Sequence, residues 1–138
     1  ATPQMIEEEY HNLFIGLGRG ELVPYASYYL TGFLQEKPLA KLRADMAVIG
    51  ATSKAGSSDP EDHVAAILEI MGGLVGGRFG TVQSAVSESS FYRTHVESWM
   101  PLFFGDLRKA KSAHFYRAVG DLGLAFLEIE NAQFQMAA

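Results

Sequence analysis

Apolar residues recur at intervals of three and four along most of this chain, a period that builds amphipathic helices and not strands. Between residues 4 and 14, Met5, Ile6, Tyr10, Leu13 and Phe14 share one helix face, which also carries Glu9, while Glu7 and Glu8 lie on the wet side. Gly16, Gly18 and Gly20 end that helix, because glycine is costly inside helices and cheap in loops. Pro38 opens a cleaner element in which Leu39, Leu42, Met46 and Ile49 form one stripe, closed by Gly50. Val64, Ile67, Leu68, Met71, Leu74 and Val75 repeat the pattern until glycines at 72, 73, 76 and 77 weaken it.

Residues 81–98 are predicted helical although serines at 84, 87, 89 and 90 dilute the pattern, and residues 99–111 carry Trp99, Phe103, Leu107 and Ala110 on one side. The last helix, near residues 112–133, has one apolar face of Phe115, Val119, Leu122, Phe126 and Ile129 and another of Tyr116, Leu124 and Leu127. Its narrow polar stripe, Arg117, Asp121 and Glu128, predicts a largely buried helix at the centre of a bundle. No segment sustains strand alternation. The expected fold is therefore all-α, a single helical domain over residues 1–138, with the small and polar residues 51–58 as a flexible linker inside it.

Composition narrows the function. A chain of 138 residues buries one core, and 48% hydrophobic against 20% charged residues is ordinary for a globular protein. The formal charge of −5 disfavours phosphate backbones, so no nucleic-acid partner is expected, and it suits a basic peptide. The absence of cysteine removes disulfides, thiolate metal sites and cysteine nucleophiles. No apolar run approaches the roughly 20 residues of a membrane span, and no basic-then-apolar leader opens the chain, so stable membrane insertion is not expected and the cytoplasm is the natural compartment. The chain opens Ala1-Thr2-Pro3 and enters a helix at once, as a piece lacking N-terminal helices would.

The run Asp59-Pro60-Glu61-Asp62-His63 stands where linker becomes helix. Helix capping accounts for most of it, with Asp59 as N-cap, Pro60 at the first helical position and the acids at the positive dipole end. His63 is left over, beside a carboxylate that would raise its pKa. Asp62-His63 also suggests the metal pair of a helical hydrolase, but His11, His95, His114 and the scattered acids give no metal-ligand spacing, so neither a metal nor a catalytic residue is expected. The glycine run at 16–20 follows a helix and lacks the lysine and hydroxyl of a phosphate loop. Pro24-Tyr25-Ala26-Ser27-Tyr28-Tyr29-Leu30 is either core or a set of peptide anchors.

Taken in order, three blocks resemble the TorD/DmsD-type chaperones of molybdenum oxidoreductases, the redox enzyme maturation proteins. They are EYHNLFIGLGRGELVPYASYYL, the Asp59 to His63 run, and the stretch from HVESWMPLFFGDL to HFYRAVGDLGLAFL. The resemblance implies an all-α bundle that is not an enzyme, needs no cofactor, and binds the twin-arginine leader of an apo-oxidoreductase catalytic subunit until its molybdenum cofactor is inserted. It implies signal-peptide binding by Pro24, Tyr25, Ser27, Tyr29 and Leu30 and by Pro60, Asp62 and His63, with Glu61 and Asp62 as carboxylates for the two arginines. The leader's apolar stretch would meet the tyrosines and the stripe of Val64 and Ile67. Trp99 and Pro101 match a further, structural motif. Aspartate at 59, where the family usually has glutamate, keeps the capping chemistry. A bundle lacking helices exposes apolar surface, so a homodimer is expected, with exchange of elements, to which the family is prone, as one route to it. Control by GTP and a helical metal-dependent hydrolase are the alternatives.

Overall fold

A computed structural model describes residues 1–53, 59–80 and 86–137. The described residues form helices and no strand, the all-α class expected, with one isolated antiparallel bridge between Tyr25 and His63. They group into two compact units, Ala1–Pro24 with Met100–Ala138, and Tyr25–Trp99.

In the first unit, α1 (Pro3–Phe14) starts on Thr2, whose side chain accepts the Met5 N–H, and Pro3 fills the first turn, where its missing N–H costs nothing. Helices α6 (Met100–Lys109) and α7 (Phe115–Ala137) pack as a hairpin. Two carboxylates hold the turn between them. Glu9, buried on α1, accepts the N–H groups of His114, Phe115 and Tyr116 at 3.0, 3.0 and 2.6 Å, and Glu21 accepts those of Lys111 and Ser112 at 2.7 and 3.0 Å. The start of α7 is thus capped by a side chain about a hundred residues away in sequence, which satisfies its orphan donors.

Helix α7 is not the buried helix that its narrow polar stripe predicts. Leu127 is buried, as are Gly120 and Gly123, but Leu122 and Ile129 are 70% and 65% exposed and Phe115 and Phe126 are largely open. Close approach decides which of its two apolar faces packs. A Cβ at Gly120 would stand 2.9 Å from both the Phe104 carbonyl oxygen and the Arg108 nitrogen, and one at Gly123 would run into the Phe104 ring. The glycine face therefore seats on α6, and the bulkier face is left outside.

In the second unit, α2 (Ala26–Thr31) is the short helix expected after Pro24. Helix α3 (Lys37–Ile49) buries Leu39, Leu42, Met46 and Ile49 and ends on Gly50 in the left-handed conformation, as its pattern predicts. Helix α4 (Val64–Val75) buries Ile67, Met71 and Leu74. The helix predicted over 81–98 is α5 (Glu88–Tyr92), started by a reciprocal Ser87/Ser90 capping box, running into a π turn at Arg93–Glu97. Residues 81–85 lie outside the described residues, as do 54–58 of the predicted linker. Phe91, Tyr92, Val96 and Trp99 complete this core.

A Gly120→Ala substitution would ordinarily gain helix propensity; here it is expected to lower stability by about 1–3 kcal/mol through overpacking against the α6 backbone, measured by urea unfolding.

Candidate functional site

Helix α4 begins four residues later than capping rules alone predict. Asp59 is not its N-cap and Pro60 is not in its first turn. The Pro60 carbonyl accepts the His63 N–H at 3.3 Å in a turn, and the Asp62 carbonyl accepts the Ala26 N–H at 3.0 Å, so this backbone is engaged outside a helix. His63, in extended conformation, is the N-cap: its Nδ1 accepts the Ala65 N–H at 3.1 Å. An imidazole nitrogen does the work usually given to Asp or Ser.

Asp62 caps a different helix. Its side chain is 1% exposed, and Oδ2 accepts the Ser27 N–H at 2.8 Å, satisfying an orphan donor at the start of α2, which has no cap of its own. Its Oδ1 is buried without a hydrogen-bond partner among the described residues. Ser27, also buried, offers its Oγ to the Glu36 N–H at 3.3 Å. Tyr25 and His63 pair through the isolated bridge, and their rings meet edge-to-face at 5.1 Å. The two sequence blocks are therefore one structure: Tyr25 and Ser27 lie against Asp62 and His63.

Glu61 forms a bidentate pair with Arg43 of α3, at 2.9 and 3.0 Å. The Arg43 guanidinium, partly opposed by burial and helped by the Ser53 side chain, lowers the Glu61 pKa to about 2. The other predicted residues are dispersed. Tyr29 stacks at 5.6 Å on Trp99, whose Nε1 donates to the His95 carbonyl at 2.8 Å. Leu30 is exposed, Pro60 is half-buried, and Pro24 is buried at the end of the first unit's loop. Pro101 stands in the first turn of α6. Ile67 is wholly buried, so the apolar part of any ligand cannot reach it, whereas Val64 is half-buried.

Asp62 and His63 diverge to different helices and do not form a metal pair, and among the described residues no group of three histidines, aspartates or glutamates could hold a metal ion. His63 also titrates against expectation. Burial lowers its pKa, and the charges of Asp59 and Asp62 offset that only in part.

Three residues escaped the sequence reading as partners. Arg43 is one. The others are Asp45 and His95, a buried pair at 2.6 Å, with Lys41 on the second Asp45 oxygen at 3.0 Å. The only signal in sequence was the period of α3, which places Asp45 beside Met46 on its buried side.

The family model described as nitrate reductase delta subunit matches residues 1–105. The chain belongs to this family. Among its relatives, the chaperone protein TorD of Vibrio parahaemolyticus is 26% identical over 132 residues, 90% of this chain and 61% of that protein. The TorD chaperone of Aliivibrio fischeri is 27% identical over 135 residues, 91% and 62% of the two chains, and that of Vibrio cholerae 28% over 127, 87% and 58%. The chain thus spans about three fifths of the length of the relatives it matches. No solved structure matches it. The match confirms the TorD/DmsD-type resemblance carried by the residue blocks, and the Asp59 to His63 run lies inside the matched region.

Two outcomes follow from this geometry. Asp62→Ala removes the α2 cap and is expected to cost about 2–3 kcal/mol in urea unfolding, with loss of Ser27 amide protection. His63 has a folded pKa below its unfolded value of about 6.5, so the unfolded chain binds more protons and stability falls as pH drops through that value towards the folded one. His63→Asn keeps a capping acceptor without a proton site, and is expected to flatten the loss of stability measured between about pH 7 and 5; His95, also lowered by burial, accounts for the remaining slope.

Proposed function

We propose that this chain is a cytoplasmic maturation chaperone that binds the twin-arginine leader of an apo-molybdenum oxidoreductase and delays export until the cofactor is inserted. Membership of the family and the TorD relatives support the chaperone role. The observation that most supports leader binding is the bidentate Arg43–Glu61 pair. It is a carboxylate already matched to a guanidinium fork, at the edge of the Tyr25/His63 bridge.

A leader arginine exchanges with Arg43 at Glu61, and the exposed Asp59 offers a second carboxylate nearby in the chain. Asp62 serves the site indirectly, by fixing α2 against the start of α4. The apolar part of the leader lies along Leu30, Phe33 and Leu34, exposed on α2 and the turn after it, with the Tyr25 ring alongside. No helix among the described residues is long and apolar enough to cross a membrane. The open face of α7, Phe115, Leu122, Phe126 and Ile129, supports a homodimer, since contiguous exposed apolar surface favours association. Light scattering across micromolar concentrations should show a dimer.

Calorimetry with a synthetic leader tests the site. Glu61→Gln is expected to weaken binding about tenfold, and Arg43→Ala to tighten it by removing the internal competitor. A leader with both arginines replaced by lysine loses the fork and should bind like wild-type leader to Glu61→Gln. Unchanged affinity in both protein variants would remove Glu61 from the site.

A further inference from the structure

His63 caps α4 with a group that a proton can remove. Helix N-caps are ordinarily Asp, Asn, Ser or Thr, whose acceptors survive near neutral pH, whereas imidazole changes charge there. Here Nδ1 accepts the Ala65 N–H at 3.1 Å, so the neutral ring carries its proton on Nε2. A proton arriving at Nδ1 turns this acceptor into a donor that faces another donor. The cap is then lost, and the ring has to turn.

The ring cannot turn alone. It meets the Tyr25 ring edge-to-face at 5.1 Å, and the two backbones pair in the isolated bridge. Tyr25 in turn is the residue from which α2 starts. One proton therefore acts on the starts of α4 and α2 together, on the surface proposed for the leader and two residues from Glu61. We propose that the leader and a proton on His63 exclude each other, so that leader binding expels the proton and acidification releases the leader. This rests on the leader reading and adds a regulation to it.

Charge gives the same sign as geometry. Among the described residues, the charges acting on the ring are Asp59 and Asp62 of its own turn, and both favour the imidazolium. No charge of α3, α5 or the π turn is among them, Arg43, Glu88, Arg93, His95 and Glu97 included, and α2 faces the ring with the Tyr25 side chain. A leader arginine on Asp59 cancels one of the two supporting charges, while the arginine taken by Glu61 replaces Arg43 like for like. Binding thus removes support for the imidazolium, and by reciprocity the protonated chain holds the leader less tightly. Glu61, whose pKa Arg43 holds at about 2, stays charged throughout the range in which His63 titrates, so the main partner of the arginine does not itself switch.

Calorimetry with a synthetic twin-arginine leader at about pH 7.5 and 5.5, in buffers of different ionisation enthalpy, tests this. Wild type is expected to bind about three- to tenfold more weakly at the lower pH and to release part of a proton for each leader bound. His63→Asn keeps a capping acceptor without a proton site, and its affinity should change by less than about twofold between the same conditions. His95 titrates in both proteins and cancels in the comparison. In wild type, the His63 ring signals followed by NMR should titrate at lower pH with leader than without, a readout that needs no variant. Equal pH dependence in wild type and His63→Asn, or a His63 titration that the leader leaves unmoved, would overturn the proposal while the leader site stands. Failure of the leader to bind at the higher pH would overturn both.

Discussion

The hydrogen bond from the Ser27 N–H to the Asp62 carboxylate, across 35 residues, is the constraint on which the second unit's functional surface depends. It caps a six-residue helix too short to be stable alone and pulls the turn before α4 against it. Once Asp62 is used in this way, its carbonyl meets Ala26, His63 is left in extended conformation to bridge Tyr25, and α4 starts at the next residue. The same placement leaves Glu61 facing Arg43.

Carboxylates acting on distant backbone donors are a general device in this chain. Glu9 starts α7, Glu21 holds the turn before it, and Asp62 starts α2. For Glu21, burial alone would raise the pKa, and the bonds from Lys111 and Ser112 outweigh it and lower it. Its stabilising effect is therefore present above the unfolded carboxylate value and lost as pH falls below it, as is that of Glu61 down to about 2. The histidines lose theirs at higher pH, so acidification weakens the fold first around the π turn and the α4 cap and then at the glutamates.

Helix α3 was fully legible in sequence because proline, period and terminal glycine agree, each acting locally. The start of α4 was not. Asp59 and Pro60 are good capping residues, and only a bond to a helix 35 residues earlier disqualifies them. The period of α7 shows two apolar faces but cannot rank them; the choice lies with Gly120 and Gly123, which have no hydrophobicity to count. At the site, the residue blocks and their family were readable. The roles were not: the leftover histidine is a cap, the supposed ligand Asp62 is a brace, and the partner Arg43 lies on an exposed helix face with nothing to distinguish it.

The proposed leader site, organised by Asp62 and carried by Glu61, joins the family relationship to the geometry. Amide chemical-shift mapping during titration with a twin-arginine leader measures this most directly. Perturbations are expected to concentrate at Tyr25, Ser27, Arg43, Glu61 and His63, with release of the Arg43 guanidinium from Glu61. Binding that leaves those amides and the Arg43 side chain unmoved, with shifts confined to α1, α6 and α7, would contradict it.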